Sequence, residues 1–587
     1  MNIKKYIVSG CVALMSLGVT SCIGDLDLQP NDPNLVDTDS PDFKDNILGM
    51  CYSGLACSGI SGPGSSYISG MDAGASAYLR LIFTCSEYPS DEMVWIWPND
   101  EGGTLGDLLA CTWSNNNPFL NGIYYRLLGH ITICNQYLLN TMDDNDAETI
   151  EHRAEARVLR AYSYYNMCDL FGQSSFITEE FEAGAAPIQI SRLELYNWLE
   201  SELVDVVDNR LIDEKPLYGR VGLDAAEALL AKLYLNAEVF SGTQQWAKCA
   251  ERCENIIARH TGTGFRGTGL AEHYLYLFQR DNASYMPGGD KPGENEILFG
   301  IAFDDTYTQS YGGPTFIISG TVADTHYVPQ EIYGTSSQWA CIRGIQQMAD
   351  RFDGGDNKDV RDDLWVRGEK PAGKAEYASK TGGEPLKEEW EAEDYSNEFK
   401  GFSGDWKTTG GNAIIKFTGR TRNAAQDGGW DMEYVESPDY VGYYSWNCKF
   451  PATTYASTDQ PVIRLADIYL MYAECHLNSG RSVGNAQTAL QYVNNVRARA
   501  GATEWNSGQL TIQNLMDERS RELYLESWRR NDLVRNGMFA GPQQTVWQVK
   551  GNLNNMQGTR IATHFNLFPI PFNVLSTQPD FKQNPGY

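Results

Sequence analysis

Two tryptophans, Trp95 and Trp97, stand two residues apart in the segment SDEMVWIWPND (90–100), and Asn99 follows them. A flat aromatic ring can stack on the apolar face of a cyclic ligand such as a sugar, while neighbouring amide, carboxylate or guanidinium groups hydrogen-bond to its hydroxyls. Similar residue types recur in the middle of the chain. The candidate ligand-binding residues are Asp72, Trp95, Trp97, Asn99, Tyr307, Tyr311, Trp339 and Arg343, which follows Trp339 by one helical turn. The alternative for each tryptophan is core packing, because tryptophan is mostly buried in folded proteins.

Acidic and basic residues alternate along residues 518–535 at the spacings that allow ion pairs on one helix face. These pairs are Glu518 with Arg521, Arg519 with Glu522, and Glu526 with Arg530. Two neighbouring carboxyl groups could serve as the acid and base of a glycosidase. We favour an ion-paired network that holds this helix in place, since the chain has 76 acidic residues and close carboxylates are therefore common. The sequence contains no HExxH motif, phosphate loop, dinucleotide fingerprint or nucleophile elbow.

The composition narrows the classes of function further. The chain has 587 residues, of which 42% are hydrophobic and 21% charged, so it is long enough for a large core and is not a disordered chain. Its formal net charge of -30 repels phosphate backbones, which excludes nucleic-acid binding. Only 7 histidines are present, and the 13 cysteines are scattered, so we predict no metal site and no cofactor.

The first residues, MNIKKYIVSGCVALMSLGVTSC (1–22), have the pattern of a secretory signal. Two lysines precede an apolar stretch that is too short to cross a membrane. The segment Val19–Cys22 resembles the lipobox of bacterial lipoproteins, so residues 1–21 are predicted to be a lipoprotein signal peptide and Cys22 to carry lipid. Residues 22–43 are polar and acidic and are predicted to be a flexible tether. The expected attachment to the membrane is a lipid anchor.

Apolar residues recur at helical spacing in two blocks, mainly 120–260 and 462–540. Ser191 and Glu194 form a capping box at the start of one predicted helix. Helices paired through short turns, with alanine at their crossings, indicate hairpin repeats of the tetratricopeptide type. Residues 60–115 and 262–460 are mainly loop-rich, with strand-like runs at 296–303 and 412–417. Long loops rich in aromatic residues favour a functional role for this part.

Several segments resemble the SusD/RagB family of outer-membrane nutrient-uptake lipoproteins of Bacteroidetes. They occur in the family's order, from the lipobox to the last residue. These segments are AEARVLRAYSYYNMCDLFG (154–172), GRVGLDAAEALLAKLYLNA (219–237), RLADIYLMYAEC (464–475), ERSRELYLESWRRNDLVR (518–535) and QNPGY (583–587).

The resemblance implies an all-α fold in which tetratricopeptide-like helical hairpins form a curved scaffold and a loop-rich irregular part packs on it. Residues 44–587 would form this SusD-like domain. It also implies a non-catalytic surface glycan-binding lipoprotein in the outer membrane. Such a protein captures oligosaccharides or polysaccharides and delivers them to a SusC-like TonB-dependent β-barrel transporter. In the family, an aromatic and an amide from the region of 90–100, and further aromatics from the middle loops, contact the sugar.

Two other functions stay open at this point. A member of the family could capture peptides or glycoproteins, in which case acidic loops would matter more than stacked aromatic rings. A surface glycoside hydrolase on a helical scaffold is the enzyme alternative, and it would release reducing sugars. The sequence does not identify the glycan, because aromatic platforms tolerate many sugars.

Overall fold

A computed structural model describes residues 41–97, 99–182, 184–290, 295–321, 334–337, 339, 341–352, 359–361, 365–366, 413–414, 416–419, 432–437, 440–446 and 453–587. Cys22, the predicted signal peptide and most of the predicted tether lie outside these residues. The described residues from Leu48 to Tyr587 belong to one compact unit. The α-helices of the described part are α1 (Pro41–Ala56), α2 (Tyr78–Glu87), α3 (Thr104–Leu109), α4 (Pro118–Asn140), α5 (Ala147–Leu170), α6 (Arg192–Asp208), α7 (Leu223–Leu235), α8 (Ala237–Ser241), α9 (Trp246–His260), α10 (Gly313–Thr321), α11 (Gln346–Asp350), α12 (Leu465–Asn478), α13 (Ala486–Arg499), α14 (Ile512–Leu523), α15 (Arg529–Arg535) and α16 (Phe572–Thr577).

The strands are short and pair in twos, always antiparallel. They are β1 (Met93–Trp95), β2 (Ser174–Phe176), β3 (Ile188–Ile190), β4 (Ile297–Ile301), β5 (Ile342–Gly344), β6 (Trp365–Val366), β7 (Ala413–Ile414), β8 (Met432–Ser437), β9 (Tyr440–Trp446) and β10 (Gln460–Arg464). The pairs are β1 with β5, β2 with β3, β4 with β10, β6 with β7, and β8 with β9. The fold is therefore mostly helical, which confirms the predicted class.

Consecutive helices pack as hairpins. Helix α4 packs on α5, α5 on α6, and α6 on α7, and further along the chain α12 packs on α13. Helix α9 packs on both α7 and α12 and so joins the two helical blocks that a loop-rich stretch separates in the sequence. Nearly every residue of α7 and α12 is buried, so both helices are covered on all sides by the rest of the fold.

Side-chain caps fix the starts of several helices. Ser191 and Glu194 form the expected capping box at the start of α6, with both hydrogen bonds present. The Asn117 side chain caps α4, whose first residue is Pro118. Asp146 caps α5 in the same way. These caps satisfy backbone N–H groups that a helix start otherwise leaves unpaired.

The sequence spacing predicts that the charged segment 518–535 is a single helix, but the structure shows two helices here. Helix α14 ends at Leu523 and α15 begins at Arg529. Between them Leu525 and Ser527 have φ values of 60° and 68°, a left-handed backbone that a helix cannot contain. The break directs the Glu526 carboxylate to Arg464 and Lys416 rather than to Arg530.

The carboxylates of this segment lie in a buried ion network, in agreement with the predicted ion-paired role of the segment. The Glu522 carboxylate contacts the guanidinium groups of Arg361, Arg464 and Arg499, and all four side chains are fully buried. The expected pair of Arg519 with Glu522 is wrong, because Arg519 instead binds Asp467 and Asp532. Most of these partners come from distant parts of the chain, so the network joins α14 to α12, α13 and the middle of the chain.

The cysteines of the described residues are free thiols, and nearly all are buried. Burial raises the pKa of the Cys85 thiol to about 12, so it is protonated and behaves as a small apolar side chain. Among the described residues, no group of three or more His, Cys, Asp and Glu side chains has an arrangement that could hold a metal ion. Within the same residues no helix combines the length and the apolar character that crossing a membrane requires.

Candidate functional site

The pairing of β1 with β5 brings together two loops that are far apart in the sequence. Trp95 lies opposite Ile342, and Met93 lies opposite Gly344. The Ile96 N–H continues the ladder by donating to the Cys341 carbonyl at 3.0 Å. The residues after β1, including Trp97, therefore lie beside the residues before β5, including Trp339.

Six aromatic side chains meet at this junction, and we call them the aromatic cluster. They are Trp95, Trp97, Tyr311, Phe316, Trp339 and Tyr455. Their ring centroids form a chain of contacts: Trp95 to Trp97 at 5.8 Å, Trp95 to Phe316 at 5.9 Å, Phe316 to Trp339 at 6.2 Å, Trp339 to Tyr311 at 6.3 Å, and Tyr311 to Tyr455 at 5.0 Å. The structure thus places Trp95, Trp97, Tyr311 and Trp339 in one site.

The aromatic cluster has a buried layer and an accessible layer. Trp95 is only 4% exposed, and the rings of Tyr88 and Phe316 both stack on it, with centroid distances of 5.6 Å and 5.9 Å. Its indole N–H donates to the Trp97 carbonyl at 3.0 Å. The expectation that Trp95 contacts a ligand is therefore replaced by a supporting position beneath Trp97. The half-buried members, which can present a ring surface, are Trp97, Tyr311, Trp339 and Tyr455.

Polar side chains converge on one edge of the aromatic cluster at Gly74. A Cβ atom at Gly74 would lie 2.8 Å from the Tyr311 Cβ, 3.1 Å from the Arg80 Nη1 and 3.3 Å from the Asp72 Oδ1. The absence of a side chain at Gly74 therefore lets these three residues approach one another. The Arg80 guanidinium lies 4.1 Å from the Phe316 ring centroid, in a cation–π contact that fixes its position.

The exposed Asp72 carboxylate has a structural role as well. Its Oδ1 accepts a hydrogen bond from the Ala75 N–H at 2.9 Å, which holds the turn over Gly74. The second oxygen of a carboxylate is then available to accept from a hydroxyl. Asn99 is also exposed and stands directly before the 3₁₀ helix Asp100–Gly103. Both residues have the accessibility that the predicted hydroxyl contacts require.

Two predicted residues lie away from the centre of the aromatic cluster. Arg343 belongs to strand β5 and not to a helical turn after Trp339, and it lies opposite Val94 with 5% of its surface exposed. The buried Arg343 side chain therefore offers almost no surface to a ligand. Tyr307 lies at the other extreme, with 90% of its surface exposed on a loop before Tyr311.

Three residues of the site were not predicted from the sequence: Arg80, Phe316 and Tyr455. Arg80 is the basic residue in the otherwise apolar start of α2, YLRLIF, and an isolated charge in such a run is a signal that could have identified it. Phe316 lies in the apolar helix α10, where nothing distinguishes it from core residues. Tyr455 reaches the site only because residues 453–459 pack beside α10, as shown by the bond from the Ala456 N–H to Thr315 Oγ1 at 2.9 Å.

The segment that carries Tyr455 is anchored by a buried aspartate. Asp459 is 1% exposed, and its Oδ1 accepts from the Phe303 N–H at 2.8 Å. The Tyr218 hydroxyl donates to the same carboxylate at 2.9 Å from Oδ2. Burial raises the pKa of Asp459 to about 7, with a smaller contribution in the same direction from the charge of Asp304. Asp459 thus connects β10 to the loop that leads to Tyr307 and Tyr311.

Replacing Asp459 with asparagine is expected to weaken the dependence of stability on pH. In the unfolded chain an aspartate has a pKa of about 3.9. Between that value and pH 7 Asp459 binds a proton in the folded protein but not in the unfolded chain, so its contribution to stability falls as the pH rises. The asparagine of the variant cannot ionise, so the free energy of unfolding of the variant, relative to that of wild type, should rise by on the order of 2–3 kcal/mol between pH 5 and pH 8.

Urea unfolding at the two pH values measures this effect. Asp290→Asn, at an exposed position, is the matched control and should keep the pH dependence of wild type. A difference between Asp459→Asn and wild type that is the same at both pH values would contradict the assignment.

Comparison with known proteins places this architecture in a family of helical-hairpin proteins. The model of the SusD family matches residues 295–587. The starch-binding protein SusD of Bacteroides thetaiotaomicron is 31% identical over 593 aligned positions, which cover 100% of this chain and 99% of the relative. The SusD-like protein P25 of Formosa agariphila is 23% identical and covers 78% of this chain and 76% of its own length.

Solved structures show the same fold. A SusD superfamily protein from Bacteroides vulgatus superposes with a TM-score of 0.64 and 16% identity, covering 94% of this chain and 100% of that one. Surface glycan-binding protein A from Bacteroides thetaiotaomicron, solved in complex with laminarihexaose, gives a TM-score of 0.63 and 16% identity, covering 93% and 99%. The chain belongs to the SusD family.

Proposed function

We propose that the protein is a non-catalytic, lipid-anchored glycan-binding protein whose aromatic cluster binds glucan chains. The observation that carries this proposal is the set of half-buried rings with a polar edge, Trp97, Tyr311, Trp339 and Tyr455 beside Asp72 and Arg80. A relative of 31% identity is a starch-binding protein, and a neighbour of similar fold was solved with a glucan oligosaccharide. Both support a glucan as the ligand to test.

The arrangement of the rings favours a chain that bends. The planes of Tyr311 and Trp339 are inclined by 43°, and those of Tyr311 and Tyr455 by 57°. Rings tilted in this way offer successive stacking surfaces that are not coplanar, so a curved chain can contact more of them than a flat one. Arg80 and Asp72 can then hydrogen-bond to hydroxyl groups at the edge of the sugar rings. An α-linked glucan of the starch type is therefore the first probe.

The protein's charge favours neutral glycans over anionic ones. The net charge of -30 and the exposed Asp72 at the site repel uronate and sulfate groups. Arg80 is a cation at this edge, but its guanidinium already lies against the Phe316 ring.

Affinity gel electrophoresis tests the function directly. We expect amylopectin or laminarin in the gel to retard the protein, and polygalacturonate to leave its mobility unchanged at low salt. Retardation by no neutral glucan, together with binding to a peptide or glycoprotein panel, would favour the alternative ligand class.

We propose that the protein lacks glycosidase activity. A glycosidase requires one carboxylic acid that can give a proton, beside a second carboxyl group. Glu518 and Glu522 are fully buried; although burial opposes ionisation, the surrounding arginines outweigh it and lower the pKa of both carboxyl groups. They therefore have no proton to donate near neutral pH. Incubation with amylopectin should release no reducing sugar above a heat-denatured control, and sustained release would contradict this part of the proposal.

We further propose that Cys22 anchors the protein to the outer membrane, facing the cell exterior, where it delivers glycans to a SusC-like TonB-dependent transporter. Residues 1–21 would be removed as a signal peptide, residues 22–43 would act as a tether, and residues 44–587 would form the folded domain. The lipobox pattern and membership of the SusD family support this assignment. Affinity purification in mild detergent should recover a large β-barrel with the native protein, and recovery of the protein alone would count against the partnership.

A further inference from the structure

Tyr307 is the most exposed large apolar or aromatic side chain among the described residues, with 90% of its surface accessible. A single exposed apolar side chain is normal on a protein surface. Tyr307 differs in that hydrogen bonds fix the turn that carries it, and the chain enters the aromatic cluster four residues later, at Tyr311.

The turn around Tyr307 is fixed by its own hydrogen bonds. The Asp304 Oδ1 accepts from the N–H groups of Thr306 and Tyr307, both at 2.8 Å. The Thr308 N–H donates to the Asp304 carbonyl at 3.1 Å, and Gln309 Nε2 donates to the Asp305 carbonyl at 2.8 Å. This aspartate-capped turn holds the backbone of Tyr307 in one conformation, so little conformational entropy is lost there on binding.

The base of the turn is fastened to the segment that carries Tyr455. The Asp305 N–H donates to Ser457 Oγ at 3.0 Å, and the Asp305 carboxylate pairs with Arg280 at 2.9 Å. Tyr311 follows Tyr307 by four residues, so their Cα atoms lie within about 14 Å of each other. The turn that carries Tyr307 is therefore joined to two segments that enter the aromatic cluster, at Tyr311 along the chain and at Tyr455 through Ser457.

We propose that Tyr307 is an outlying stacking residue that contacts only the part of a longer glycan extending beyond the aromatic cluster. This inference rests on the proposed function and adds chain-length discrimination to it. Once a chain is bound at the cluster, its next units are held at a high effective concentration near Tyr307. Each additional stacked ring then strengthens binding, whereas a short oligosaccharide that fills only the cluster does not reach this tyrosine.

Isothermal titration calorimetry with maltotriose and maltoheptaose tests the proposal. Tyr307→Ala should weaken maltoheptaose binding about 5- to 10-fold and leave maltotriose affinity unchanged. Tyr307→Phe keeps the ring and should retain wild-type affinity for both. Leu217→Ala, which removes another exposed apolar side chain at 72% exposure, is the matched control and should change neither.

Equal affinities of Tyr307→Ala and wild type for maltoheptaose would overturn the inference. Equal losses for both oligosaccharides would also overturn it, since they would indicate a general disturbance of the site. If Trp97→Ala abolishes binding while Tyr307→Ala has no effect, the proposed function stands and the chain-length inference fails. If the wild-type protein binds neither oligosaccharide nor any neutral polysaccharide, both fail.

Discussion

Replacing Glu522 with glutamine is expected to lower the free energy of unfolding by about 3–5 kcal/mol, because it leaves buried arginines without their shared counter-ion. The Glu522 carboxylate lies 2.9 Å from Arg464 Nη1 and 3.0 Å from Arg361 Nη1, and it also contacts Arg499. None of these side chains is exposed to water. Glutamine preserves the shape of the side chain, so the change removes charge and leaves packing intact.

Urea unfolding followed by tryptophan fluorescence measures the loss. The matched control is Arg210→Ala, which breaks the ion pair between Arg210 and Glu214, where both side chains are more than half exposed. Water screens that pair, so its loss should cost about 1 kcal/mol or less. If Glu522→Gln costs no more than the control, the buried network does not stabilise the fold as we infer.

Replacing Trp97 and Trp339 together with alanine is expected to abolish detectable binding to the polysaccharide that retards the wild-type protein. Both rings belong to the accessible layer of the aromatic cluster. Each stacked ring contributes about 1–2 kcal/mol to binding, including the apolar area it covers. The double variant should therefore lose roughly 30-fold to 1,000-fold in affinity, which a weak surface-capture site cannot sustain.

The controls separate loss of binding from loss of structure. Tyr125→Ala removes a partly exposed ring whose aromatic contact is Tyr124, and it should bind like wild type. Far-ultraviolet circular dichroism should show the double variant to be as helical as wild type, since Trp95 and Phe316 still fill the layer below. Full retention of binding by the folded double variant would exclude the aromatic cluster as the binding surface.

Part of the candidate site could be predicted from residue types alone. The pattern of tryptophan, tyrosine and short polar side chains predicted Trp97, Tyr311 and Trp339 as ligand contacts, because rings suited to stacking stand out in loops rich in glycine and aspartate, and the structure brings these three rings into one cluster. The pattern did not distinguish Trp95, which is buried, from Trp97, which is half-buried. The difference arises from Tyr88 and Phe316, which cover the Trp95 ring and come from other parts of the chain.

The sequence by itself determined the helical class and the capped helix start at Ser191, because helical periodicity and capping act within a few residues. Only the tertiary structure decided which arginines neutralise Glu522, where the charged segment breaks, and which rings face water. Ion pairing and burial depend on groups that meet after the chain has packed, and spacing along the chain carries no information about those encounters.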